Sequence, residues 1–351
     1  MSRYDKAICR DRTCIAILAV LTAGPLVGCK PSNIAQQADN ASFIAVVGVA
    51  EDDPIWRVLY ATATRQVDTL GGLAVRTAIP ADPTPHGQIR LLRELYSRRM
   101  LGLCIQPADG PAMREILEEL RSKGVTVVTM LERAPSQTEF MHAGVDDMAV
   151  GRAMADAIQE AVGGDGTIAV MRGPQDDLHY TDRYVGFEEK LKGMAGIHVL
   201  REFECDGNEF VARRQVREFT ERFPRLSGWV CMDNWPLRLL EPDERPVPEG
   251  CVMVTYNPLP QYWPLIHEDA CRFISVPYDQ VAEQALHMCA TAIHGELPSS
   301  GTYLAPPVTI TSQNIIPFKL QWFRWREVQG AAESEDESAP SDAREPAAEG
   351  P

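Results

Sequence analysis

Phe43-Ile44-Ala45-Val46-Val47-Gly48-Val49 runs into Glu51-Asp52-Asp53-Pro54-Ile55-Trp56, and the junction reads as strand, polar loop and helix start. Seven apolar residues without polar alternation predict a strand buried on both faces. Pro54 suits the first turn of a helix. Ile55, Val58, Leu59, Val67 and Leu70 then recur at helical spacing until Gly71-Gly72. Outward from this unit the same alternation continues. Strands are expected at 73–79, 101–105 and 125–130, with helices at 88–100 and 113–122. After 130 the rhythm restarts with a helix at 148–162. Strands follow at 167–171, 197–203, 229–232, 252–256 and 272–276, with helices at 182–191, 209–223 and 279–294. Strands alternating with helices predict parallel sheets covered on both faces. Two successive series predict an α/β protein of two doubly wound parallel-sheet lobes.

In such sheets a ligand lies beyond the carboxyl ends of the strands. Those ends carry Asp53, Ile55 and Trp56 after the first strand, and Glu132-Arg133 after the strand at 125–130. Arg183 opens the helix after 171, Asp233-Asn234 follows 232, and Asn257-Pro258 follows 256. Carboxylates accept hydrogen bonds from hydroxyls, arginine donates in a fixed fork, and amides do both. An aromatic ring covers the C–H face of a sugar, so the set suits a polyhydroxylated solute. Each group has a structural alternative. Asp52 or Asp53 can cap the helix at Pro54, and Trp56 can be core. Glu132-Arg133 can be a surface pair, Arg183 can pair with Asp182 or Glu188, and Asp233 can cap a short helix.

The chain of 351 residues is long enough for two domains. Its net charge of −15 argues against nucleic acid, which requires clustered Lys and Arg. Arg3, Lys6, Arg10 and Arg12 precede an apolar run, Cys14 to Val27, which ends in Leu26-Val27-Gly28-Cys29. A charged start, apolar middle and small residue before cysteine mark an export signal. The pattern resembles a bacterial lipoprotein signal, with residues 1–28 removed and Cys29 carrying lipid. Residues 29–42 read as a linker. Residues 329–351, rich in Glu, Asp, Ser, Ala and Pro, read as a disordered acidic tail. Six cysteines remain after Cys29, several within apolar runs, where a free thiol behaves as a small hydrophobe. Neither Cys/His spacing nor an HExxH motif suggests a metal, and no cofactor is expected. No Gly-x-Ser-x-Gly or phosphate loop is present, so catalysis is not expected.

The strings at 124–133, Arg183-Tyr184-Val185-Gly186-Phe187, Met232-Asp233-Asn234, 252–258 and 306–314 join the first strand in a fixed order. Together they resemble the type I periplasmic binding proteins, in the sugar-binding, ribose-binding-protein-like group, over about residues 43–316. The resemblance implies ligand residues at Asp53, Ile55, Trp56, Glu132, Arg133, Arg183, Asp233 and Asn257, with Trp56 stacked on the solute. It also implies that Val276 stands where the family often has glutamine. It implies an N-terminal lobe of 43–144 plus 278–303 and a C-terminal lobe of 145–277 plus 304–328, joined by three hinge crossings near Gly144, Pro277 and Ala305. It further implies a monomeric, extracytoplasmic, lipid-anchored solute-binding protein of an ABC importer. Its partners would be a sugar-like ligand and a membrane permease. The alternative is a binding protein that presents its closed form to a sensor kinase or chemoreceptor. The export signal standing in place of a helix-turn-helix argues strongly against a transcription regulator of this fold.

Overall fold

A computed structural model describes residues 42–50, 54–67, 70–96, 99–136, 139–241, 243–296 and 298–322. The expected signal, Cys29 and acidic tail lie outside the described residues, as does Asp53. In chain order the first series is β1 (Phe43–Val47), α1 (Pro54–Arg65), β2 (Ala74–Ala78), α2 (Pro85–Tyr96), β3 (Met100–Ile105), α3 (Gly110–Ser122), β4 (Thr126–Met130) and β5 (Met141–Val145). The second begins with α4 (Asp147–Ala161), β6 (Gly166–Arg172), α5 (Leu178–Leu191), β7 (Ile197–Glu204) and α6 (Glu209–Arg222). It continues with β8 (Gly228–Cys231), β9 (Val252–Tyr256), α7 (Trp263–His267), β10 (Cys271–Ser275) and α8 (Tyr278–Ile293). The strands β11 (Thr302–Ala305) and β12 (Val308–Ile310) end the series.

Two six-stranded sheets result, ordered β11-β5-β4-β3-β1-β2 and β12-β10-β9-β8-β6-β7. Every pairing is parallel except the antiparallel one of β12 with β10. The two-lobe α/β class read from the sequence is therefore the observed one. The two orders match strand for strand, so β4 of the first sheet corresponds to β9 of the second. The chain passes between sheets at Asp146, at Val276-Pro277 and at Pro306-Pro307. Helix α8 packs on α1, β3, β4 and β5 of the first lobe, and α4 packs on α5, β9, β10 and β12 of the second. The core follows from the apolar runs: all five residues of β1 are 0–1 % exposed. The six described cysteines are free and buried.

Three short strands differ from the expectation. β5 and β11 lack an apolar β-branched run, β12 is only three residues long, and their pairing comes from tertiary context. Val145, Leu304 and Ala305, expected in the C-terminal lobe, pair in the first sheet, because β11 lies beside β5 with Ala305 opposite Val145. The first and third crossings thus fall one or two residues later than the sequence suggested, and the second falls at Pro277 as expected. Helix α5 begins at Leu178, a full turn before the expected start at 182.

Candidate ligand cleft

The corresponding strands β4 and β9 end in the same device. Leu131 and Asn257, the next residues, have φ of 59° and 67°. Each donates its N–H to the neighbouring strand, Leu131 to Ala143 O and Asn257 to Ile274 O, both at 2.9 Å. Asparagine tolerates this left-handed conformation, whereas for leucine it costs about 1–2 kcal/mol. Strain of this kind clusters at functional sites. In the first lobe the kink turns the chain so that Glu132 faces the second lobe.

On the second lobe, helix caps free two side chains for the cleft. Asp146 Oδ1 accepts from Ala149 N at 2.8 Å, and Asp177 Oδ1 accepts from His179 N at 2.9 Å. Their neighbours Asp147 and His179 are then available for other contacts. Arg183 Nε donates to Asp147 Oδ1 at 3.1 Å, and its Nη1 donates to Met232 O. The guanidinium lies 4.0 Å from the Tyr256 ring centroid. His179 Nδ1 lies 2.6 Å from Asp147 Oδ2, and Nε2 lies 2.9 Å from Glu132 Oε2. A continuous polar chain therefore runs from Met232 through Arg183, Asp147 and His179 to Glu132. It crosses from the second lobe to the first.

The charges in this chain support one another. Hydrogen bonds to Asp147 and then Glu132 push the His179 pKa up to about 10. Burial disfavours ionised Asp147, but the His179 hydrogen bond and the Arg183 charge outweigh it and hold the carboxyl below its ordinary range. Burial also opposes the Arg183 charge, and Asp147 more than compensates. Both nitrogens of His179 are therefore donors near neutral pH.

Also on the second lobe, Asp233 accepts from Tyr180 OH at 3.1 Å, from Arg238 Nη2 at 3.3 Å and from Asn234 N at 2.7 Å. Tyr256 OH and Tyr278 OH meet at 2.9 Å beside the second crossing. These groups surround a cavity of about 550 Å³, lined from both lobes. Among the described residues, two buried amide oxygens on its lining have no hydrogen-bond partner: Gln106 Oε1 from the first lobe and Asn257 Oδ1 from the second. A larger cavity of about 1070 Å³ adjoins it, and the two share Gln106, Glu132, Asp177 and His179.

Of the residues singled out in the sequence, Ile55, Glu132, Arg183, Asp233 and Asn257 line the inner cavity. Arg133 lines only the outer one, being the exposed member of its pair. Val276 is buried and lines neither. Trp56 does not face the cavity. It is 2 % exposed, and its indole lies so close to Gly48 that a Cβ there would sit 2.4 Å from the ring. The stacking role expected of Trp56 therefore gives way to a core role, because the turn at Pro54 points this face of α1 inward. Trp56→Phe is expected to destabilise the fold by ~1 kcal/mol and to leave ligand affinity within a factor of about two, a shift of under ~0.5 kcal/mol. Urea unfolding and titration calorimetry check the two halves.

Asp147, His179, Tyr180 and Gln106 were not singled out by the sequence reading. Asp147 hid behind its neighbour in the Asp146-Asp147 pair, where one carboxylate suffices as cap. His179 and Tyr180 fell in a stretch read as loop. Asp177, as an N-cap, was the signal that the helix begins earlier.

Because the folded pKa of His179 is raised, its contribution to stability is full below pH about 6.5, the unfolded value, and is lost as pH rises towards about 10. Arg183, Asp147, Glu132 and His142 are the charged or titratable neighbours in this balance. The melting temperature of the wild type is expected to fall by several degrees more between pH 7 and 10 than that of His179→Gln. Parallel melts at both pH values would refute the linkage.

Residues 44–297 match the family model described as periplasmic binding protein domain. No curated protein matches. Among solved structures, the arabinose-binding protein of Geobacillus stearothermophilus is similar at TM-score 0.69 and 16 % identity, covering 79 % of this chain and 99 % of that one. A periplasmic ribose ABC transporter structure from Conexibacter woesei is similar at TM-score 0.69 and 15 % identity, covering 80 % and 95 %. A periplasmic solute-binding protein from Actinobacillus succinogenes, with bound D-allose, is similar at TM-score 0.67 and 13 % identity, covering 78 % and 98 %. Two matching sheets, three crossings and a polar cleft at the strand ends accord with these likenesses, and the chain belongs to the periplasmic binding protein domain family.

Proposed function

We propose that this chain is an extracytoplasmic, lipid-anchored solute-binding protein of an ABC importer, and that it takes a neutral monosaccharide or related polyol between its lobes. The observation that carries the reading is the pair of amide oxygens without a partner among the described residues, Gln106 Oε1 and Asn257 Oδ1, one from each lobe in one cavity. A buried acceptor without a donor costs about 1–3 kcal/mol, and a solute bearing several hydroxyls supplies donors to both. The charged groups of the inner wall are already paired with each other, which favours a neutral solute over an ionic one. Arabinose, ribose and allose occur in the names of similar structures, and the cavity of about 550 Å³ has room for such a ring. Binding would draw the lobes together by the solute's greater affinity for the closed form. The reading requires no bond-breaking step.

Thermal-shift screening followed by titration calorimetry tests it, with pentoses, hexoses and polyols beside an amino acid and a dicarboxylate. A neutral sugar is expected to raise the melting temperature, and Asn257→Ala to weaken that sugar about tenfold, equivalent to ~1.4 kcal/mol. Binding of only the ionic solutes would overturn the assignment. The anchor is tested separately: Cys29→Ser is expected to leave an unprocessed chain without lipid, read by intact mass.

A further inference from the structure

We infer that the Glu132–His179 contact is an inter-lobe latch, one that draws the two lobes together through protein groups alone before any solute arrives. The inference rests on reading the cleft as the solute site, and it assigns that site a regulation of its own. Glu132 belongs to the first lobe and follows β4; His179 belongs to the second and sits in the first turn of α5. Their 2.9 Å contact spans the cleft where the inner and outer cavities share a wall.

Three features make the contact directional. Glu132 is aimed by the left-handed Leu131, a conformation that leucine adopts only under constraint. His179 is aimed by its own capped helix start and by Asp147, whose side chain is 6 % exposed and held in turn by Arg183. The second lobe thus presents a preset donor, and the first a preset acceptor. The latch itself is partly solvated, with His179 at 35 % and Glu132 at 40 % side-chain exposure. Ion pairs so exposed are weak. A weak latch suits a hinge, since a two-state equilibrium near balance responds to small differences in contact energy. The Tyr256–Tyr278 contact lies beside the crossing at Pro277, near the pivot, so it survives small rotations. Glu132–His179 lies where the two cavities share a wall, and it joins side chains of opposite lobes directly.

Small-angle scattering of the solute-free chain, after exhaustive dialysis, tests the latch without reference to any sugar. The wild type is expected to be compact. Glu132→Ala and His179→Ala are each expected to raise the radius of gyration by about 1 Å, the scale of a hinge opening between two lobes. The double variant is expected to open no further than either single variant, because both remove the same contact. Circular dichroism melts confirm that each variant is folded. Glu132 is a partly exposed loop residue, so its variant remains informative if His179→Ala fails to fold. A wild type as expanded as the variants, or a Glu132→Ala protein as compact as the wild type, would overturn the latch. Neither result depends on whether sugars bind, so failure here is distinct from failure of the functional assignment.

Discussion

Replacing Arg183 with alanine is expected to lower the stability of the fold by ~3–5 kcal/mol, the cost of stranding a buried charge. In the ligand role implied by the resemblance, Arg183 would supply donors to the solute, and its loss would cost affinity and leave the fold intact. The structure places its side chain at 5 % exposure against an Asp147 side chain at 6 %. Removing the guanidinium leaves the Asp147 carboxylate with His179 as its remaining cationic partner. It also leaves Met232 O without this donor and exposes the face of Tyr256 on which the guanidinium rests. A urea-unfolding midpoint followed by circular dichroism at pH 7 measures the loss. The double variant Asp147→Asn, Arg183→Met is expected to lose less than the sum of its two singles, because it removes both charges together. A loss below ~1 kcal/mol for Arg183→Ala would show that the pair contributes no more than a surface ion pair, and the polar chain to Glu132 would then be incidental.

That outcome bears on how much the sequence discloses. The strand at 43–47 and its helix could be read because fully buried parallel strands are continuous apolar runs and their helices are amphipathic. The lobes followed from the repetition of that unit. Strands β5, β11 and β12 were not legible: Met141-His142-Ala143-Gly144-Val145 has no β-branched run, and its place is fixed by pairing with β4 and β11. The site divides along similar lines. Glu132, Asp233 and Asn257 were visible because they directly follow strands or their kinks. Trp56 was misplaced because a residue one turn into a helix faces core or cleft according to a rotation that the local sequence does not set. Asp147 and His179 were missed because their roles come from contact between α4 and α5, which are distant in sequence from β4.

That contact rests on two glycines, and Gly186→Val is expected to destabilise the protein by ~3 kcal/mol or more, the upper range of overpacking. A Cβ on Gly186 would lie 2.1 Å from Met148 O, and one on Gly151 would lie 1.8 Å from Arg183 O. Helices α4 and α5 therefore touch backbone to backbone, with no side chain available to yield. Restoring ordinary contact requires the helices to part by more than an ångström, by van der Waals distances alone. The Arg183–Asp147 and Asp147–His179 hydrogen bonds span the same two helices, so separation loosens both. The variant is expected to lose affinity together with stability and to melt earlier than the wild type. Gly193→Ala serves as the control, since its nearest neighbour would lie at 3.5 Å, an ordinary contact, and it is expected to change stability by no more than ~0.5 kcal/mol. Differential scanning calorimetry on the three proteins decides the matter. Equal melts for Gly186→Val and Gly193→Ala would mean that the crossing tolerates a side chain, and the polar chain would need another explanation for its short distances.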